Sequence, residues 1–156
     1  MAKKIKFIWI GKVKKSFWKQ AVDYYWHRLS HFYALEEHCL KEARHHGSEE
    51  QTQQKEADSI ADIIQAKDHS ICIDRRGTVL SSFQLAEQLQ KWQNQPNAIP
   101  CFLIGGSYGF PRQFLDQCKS TLSFGPMTFP HDLARVILLE QLYRASTILC
   151  NHPYHH

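Results

Sequence analysis

Cys101-Phe102-Leu103-Ile104, running without a break into Gly105-Gly106-Ser107-Tyr108-Gly109, decides how the rest of the chain reads. Four consecutive apolar residues bounded by a turn signal mark a strand covered on both faces, and such strands belong to parallel sheets layered with helices. The glycines let the backbone turn sharply and approach a ligand closely, and open α/β sheets bind ligands beyond the carboxyl ends of their strands. The run is not GxGxxG and lacks the lysine of a phosphate-binding loop. On its own it fits a plain left-handed turn at least as well as a ligand loop.

Upstream, Ile5 to Ile10 reads as another buried strand, set between lysines and Gly11. Ser16 suits an N-cap, and Trp18, Ala21, Val22, Tyr25, Leu29 and Phe32 then recur at helical spacing. Ala34 to Leu40 predicts a second strand, and Glu42 to Gln54, polar throughout, an exposed loop. Ala57, Ile60, Ala61 and Ile64 mark a second amphipathic helix. Ser70 to Asp74 predicts a short strand closed by the turn Arg75-Arg76-Gly77, after which Ser82 caps a helix with Phe83, Ala86, Leu89 and Trp92 inward.

Downstream, Pro111 opens a short helix burying Phe114 and Leu115, and Thr121 to Phe124 forms a last strand broken by Gly125-Pro126. The final helix begins near Asp132, a good N-cap. Strands alternating with helices predict an α/β fold, a single domain over 1–156 with a mostly parallel sheet and helices on both faces. Val136 to Leu139, four apolar residues in a row, cover more of that helix than one core face needs, which predicts a homodimer.

Of 156 residues 43% are hydrophobic and 22% charged, which excludes disordered, collagen-like and coiled-coil chains. Cys39, Cys72, Cys101, Cys118 and Cys150 form no CxxC pair, so reduced thiols in the cytoplasm are expected rather than a disulfide framework or structural zinc. Without an apolar span of membrane length or a signal-peptide pattern, no membrane partner is expected. Net charge is +4, yet residues 1–19 hold seven lysines and no acid. The remainder, 12 basic against 15 acidic residues, is net negative. Such asymmetry fits a patch facing nucleic-acid phosphates, or lysines protecting a strand edge.

Three breaks lie just past predicted strands, at Asp74–Gly77, Gly105–Gly109 and Gly125–Pro130, and together they can line one site. A second concentration of chemistry is the tail Asn151-His152-Pro153-Tyr154-His155-His156, where a neutral imidazole can accept a proton near pH 7. No metal is expected there, since no carboxylate or cysteine pair supports the histidines, nor at His27 and His31, which lack a third ligand. Trp9, Trp18, Tyr24, Tyr25 and Trp26 sit at a spacing more typical of core than of base stacking.

Four motifs in order, Leu103–Gly109, Met127-Thr128-Phe129-Pro130-His131-Asp132-Leu133-Ala134-Arg135, Glu140–Ala145 and Asn151–His155, resemble the ribosomal RNA large subunit methyltransferase H family of the SPOUT class along the whole chain. The resemblance implies a trefoil-knotted SPOUT-type α/β fold, a homodimer and S-adenosyl-L-methionine as methyl donor. It implies methylation of N3 of a pseudouridine in the helix 69 hairpin of 23S rRNA within the assembled 70S ribosome. Carried over, cofactor contacts fall at Ile73, Gly105, Phe124, Gly125, Pro126, Met127, Thr128 and Phe129. His155 is then the base or orients it, Tyr154 and His152 shape the nucleoside pocket, and Arg135 or Arg144 pairs with RNA phosphate or structural acids. His156 stands where the family often carries Arg or Lys. Alternatives within reach are a SPOUT enzyme acting on tRNA and a non-enzymatic ribosome-binding factor.

Overall fold

Alternate residues of β1 (Lys4–Ile10) enter two different cores: Ile5, Phe7 and Trp9 join one, Ile8 and Ile10 the other. A strand buried on both faces needs helices on both. The structure, a computed structural model, describes residues 2–43 and 47–155. β1 lies within a five-stranded sheet of order β2-β1-β4-β3-β5, with β2 (Ala34–Leu40), β3 (Asp68–Val79), β4 (Ile99–Ile104) and β5 (Ser120–Ser123), every pairing parallel. One face carries α1 (Ser16–Ser30), α3 (Ser82–Asn94) and α5 (His131–Leu149), and the other α2 (Glu49–Ile63) and α4 (Arg112–Gln117).

Because all strands are parallel, their carboxyl ends share one edge: Ile10 pairs with Leu40, Trp9 with Ile104, Cys72 with Leu103 and Ile73 with Leu122. At the opposite edge Lys6, 2% exposed, donates from Nζ to Asp68 Oδ2 at 2.8 Å and to the Ile63 carbonyl at 3.1 Å. Removing one partner of such a buried pair costs about 3–5 kcal/mol.

Several local expectations are corrected. Glu42–Gln54 is not a continuous loop, because Ser48 and Gln51 form a reciprocal capping box that starts α2 at Glu49. Within that helix Ala57 and Ile60 are buried but Ala61 is exposed. Arg75-Arg76-Gly77 does not end β3; the strand runs on to Val79 with a register shift against β5 between Ile73 and Thr78. Gly77 permits this, since a Cβ there would lie 2.6 Å from the Thr121 backbone. Ser81 rather than Ser82 caps α3, and Leu85 joins the expected Ala86, Leu89 and Trp92 on its buried face while Phe83 is 60% exposed. Ser16 and Asp132 lie inside their helices, with Lys15 and Pro130 at the cap positions.

The apolar run on α5 is largely satisfied within the chain. Leu138 and Leu139 are fully buried, and α5 packs against both α1 and α3, leaving Val136 and Ile137 half-buried.

Candidate active site

Two strand-end loops and a stretch of β3 meet at the carboxyl edge. The stretch Ile73–Arg76 of β3, the loop Ile104–Gly109 after β4 and the loop Phe124–Phe129 after β5 enclose a cavity of about 380 Å³. Of the positions expected from sequence, Ile73, Gly105, Phe124, Gly125, Met127, Thr128 and Phe129 line it, and Pro126 does not. Gln53 of α2 and His131 and Ala134 of α5 complete the wall.

Each loop is fastened from outside itself. Gln53 Nε2 donates to the Tyr108 carbonyl at 2.8 Å, tying α2 to the glycine loop. Asp74 receives Arg76 Nε and Nη2 at 2.8 and 3.0 Å, and the same guanidinium donates to the Phe110 carbonyl at 2.8 Å. Burial opposes ionisation of Asp74, but the hydrogen bonds from Arg76 outweigh it and hold its carboxyl below the usual range. Ser123 Oγ accepts from Gly125 N at 3.0 Å and donates to the Arg75 carbonyl at 3.2 Å, joining the β5 loop to β3.

The glycines are required by space and conformation. A Cβ on Gly105 would lie 3.2 Å from the Gly109 carbonyl oxygen, whereas Gly125 has φ +113° with open space around it. At both positions the cavity wall is main chain without a side chain.

The tail is placed elsewhere. Tyr154 packs edge-on against Tyr143 with ring centroids 4.6 Å apart, lies under the Arg144 guanidinium, and donates to Glu140 Oε1 at 3.3 Å. Burial, then a hydrogen bond with Tyr25, pushes its phenol upward, so it stays protonated. His152 is exposed and its backbone N–H donates to the Thr147 carbonyl at 2.8 Å. The backbone of His155 closes a 3-10 turn over Pro153–His155, while its side chain, and all of His156, lie outside the described part of the structure. Neither His152 nor Tyr154 lines the cavity. Tyr143 lies twelve residues along α5 from His131, about 18 Å at 1.5 Å per residue.

The two arginines have structural partners. Arg135, 1% exposed, donates from Nη2 to the carbonyls of Ile10 and Gly11, both at 2.6 Å, beneath the Trp9 ring. Arg144 pairs with Glu140 at 2.5 Å. Structural acceptors hold both side chains, the backbone for Arg135 and an acid for Arg144. Cysteines far apart in sequence also converge, Cys72 Sγ and Cys118 Sγ lying 2.6 Å apart.

Sequence reasoning missed Gln53 because its segment read as loop; the Ser48-x-x-Gln51 signature was the signal that marks the helix. Asp74 and Arg76 are expected at the site as part of the Asp74–Gly77 break, but not as an ion pair whose guanidinium also holds the Phe110 carbonyl.

A family model described as "Predicted SPOUT methyltransferase" matches residues 3–155. The chain is 40% identical over 153 residues to the ribosomal RNA large subunit methyltransferase H of Maridesulfovibrio salexigens, covering 98% of each chain. It is 34% identical over 155 residues to the protein of that name from Parabacteroides distasonis, covering 98% of this chain and 99% of the relative. In fold it is similar to a probable methylase family protein from Haemophilus influenzae Rd KW20, with TM-score 0.57 and 14% identity over 97% of this chain and 70% of that one. On these grounds the chain belongs to the SPOUT methyltransferase family, among the proteins called ribosomal RNA large subunit methyltransferase H.

Proposed function

We propose that the protein transfers a methyl group from S-adenosylmethionine to N3 of a pseudouridine in the helix 69 hairpin of 23S rRNA, acting in the cytoplasm on the assembled 70S ribosome as a homodimer. The observation that carries this reading is the convergence of two strand-end loops and a stretch of β3 on one cavity in a chain whose relatives are named for large-subunit ribosomal RNA. The trefoil knot and the single domain belong to the same proposal.

The residues present fit the cofactor. The cavity falls in the size range of small-molecule sites, and Gly105 and Gly125 present main chain without side chains along its wall, Gly105 packed too closely on the Gly109 backbone to take a Cβ without a shift. When bound, the cofactor supplies an electrophilic methyl group on a sulfonium. Ile73, Gly105, Phe124, Gly125, Met127, Thr128 and Phe129 would hold it, and the Asp74–Arg76 pair braces the β3 side of the pocket. What remains for the protein is to remove the N3 proton and align the nitrogen, and alignment supplies much of the rate.

Tyr154, held protonated, suits positioning rather than proton removal, which leaves His155 as the base or its orienter and His152 as a wall of the nucleoside pocket. Tyr154 docks on the half of α5 remote from its own cavity. A tail so placed serves the cavity of a second subunit. Val79, 65% exposed, together with the half-buried Leu80 and Ile137, offers apolar surface beside Phe124 for that subunit.

Methyl-labelled donor incubated with 70S ribosomes, free 50S subunits or tRNA, each from cells lacking the modification, tests the reading. Label in 23S rRNA of 70S particles supports it. Label in tRNA, or ribosome binding without transfer, contradicts it in favour of a tRNA enzyme or a non-enzymatic factor respectively.

A further inference from the structure

The lysine-rich start of the chain divides between the two edges of the sheet, and the division has a functional meaning. Lys3, Lys4 and Lys6 lie at the amino edge, where they bond Asn94, Glu36 and Asp68 and are committed to holding the fold. Lys12, Lys14 and Lys15 lie at the other end of β1, in the connection to α1, and all three are exposed. Among the described residues the only acid paired with them is Glu42, 3.9 Å from Lys14, whose side chain is 78% exposed. Phe17 follows, 56% exposed, with Lys15 Nζ 5.7 Å from its ring centroid.

This connection is fixed beside the candidate active site. Gly11, at its base, donates to the Leu40 carbonyl at 2.7 Å and accepts from Arg135 at 2.6 Å. The residue before Arg135, Ala134, lines the cavity. A buried guanidinium thus couples the start of the basic connection to the pocket wall. Lys41 after β2 and Arg75 in β3, also exposed, lie at the same edge.

We propose that the β1–α1 connection, through Lys12, Lys14 and Lys15, grips phosphates of the RNA strand that delivers the target base to the cavity, with Phe17 as a stacking platform for a neighbouring base. Exposed cations interleaved with an exposed aromatic, beside a site that acts on a base, match the chemistry of single-stranded nucleic acid. The assignment rests on the RNA-methylating reading above and names the surface that serves it. Arg135 acts here as a positioning residue, since it touches backbone and no substrate.

The test uses the full-length protein, 70S ribosomes lacking the modification, and the triple variant Lys12→Gln/Lys14→Gln/Lys15→Gln. Cofactor affinity and melting temperature should be unchanged. The KM for ribosomes should rise about tenfold or more at moderate salt, and the slope of log affinity against log salt should fall by about 2. Phe17→Ala should weaken ribosome binding about tenfold with the salt slope intact, because stacking is not a counterion effect. Ribosome co-sedimentation reads binding independently of turnover. If the wild-type protein binds ribosomes through these lysines but transfers no methyl group, the docking surface stands and the proposed reaction fails. If the triple variant matches wild type in KM and salt slope, or if the lysines mediate binding only to anionic phosphatidylglycerol vesicles, the docking surface is overturned.

Discussion

The Tyr154 hydroxyl donates to Glu140 Oε1 at 3.3 Å, and this bond holds the histidine-bearing tail on the far half of the helix whose first turn lines the cavity. On the proposed reading, the tail acts at the cavity of a second subunit. Mixing tail-deleted subunits, lacking Asn151–His156, with pocket-blocked Gly105→Val subunits tests this. Each variant alone should be inactive, while randomly exchanged dimers should regain about a quarter of wild-type activity, because each mixed dimer holds one intact composite site. No recovery after demonstrated exchange would place the tail in its own subunit's site.

The tail also packs. Deleting Asn151–His156 removes the Tyr143–Tyr154 ring pair and the bond to Glu140, so a stability loss of about 1–2 kcal/mol is expected in urea unfolding. Cofactor affinity should be retained and methyl transfer reduced at least about a hundredfold. A truncated protein that methylates at full rate would remove the tail from the chemistry.

Gly105 and Gly125 should differ in what substitution costs. At Gly105 an alanine Cβ meets the Gly109 backbone at 3.2–3.4 Å, which displaces the loop and should weaken cofactor binding about tenfold or more by calorimetry. At Gly125 the space is open, and the cost is conformational, about 1–2 kcal/mol of stability for a residue forced to positive φ. Equal cofactor affinities in Gly105→Ala and wild type would move the pocket elsewhere.

Most of the architecture was legible from the sequence because both faces of β1 and β4 are apolar, which leaves few alternatives to a covered parallel sheet. The loops after β4 and β5 were legible as breaks after strands, and parallel pairing brings such breaks to one edge. The passage of β3 beyond Arg75 was not, since it depends on Gly77 lying against the Thr121 backbone, a contact between residues 44 apart. Nor was the burial of Arg135, whose acceptors are carbonyls at the end of a strand 125 residues earlier. Phe83 misled because its three-residue spacing to Ala86 suggests a shared face, whereas the face α3 buries, with Leu85, Ala86, Leu89 and Trp92, is centred roughly 130° away from it around the helix.

Arg135→Met keeps much of the side-chain volume but leaves the Ile10 and Gly11 carbonyls without their donor. A loss of about 2–4 kcal/mol is expected in chemical denaturation. If positioning of the basic connection matters, KM for ribosomes should rise more than cofactor affinity falls. A purely structural role would lower both together.

Glu36 gives a pH signature. A hydrogen bond with Lys4, then one with His38, holds its carboxyl down at about 2 against an ordinary value of 4.5. A depressed folded value means stability that is present above the unfolded value and lost as pH falls from the one toward the other. The side chain is partly exposed, so the contribution is about 1 kcal/mol after solvent screening. The melting-temperature gap between wild type and Glu36→Gln should be full near about pH 6 and close toward about pH 2. A gap independent of pH would detach the pair from stability.

Methylation at a defined atom is reported most directly by the nucleoside itself. Ribosomes lacking the modification are incubated with the protein and S-adenosylmethionine, the helix 69 fragment of 23S rRNA is isolated, and its nucleosides are identified by mass spectrometry against synthetic standards. N3-methylpseudouridine is expected in that fragment, with reverse transcriptase halting at the same position because N3 lies on the pairing edge. An unmodified fragment, or a methyl group on a different atom or a different RNA, would contradict it.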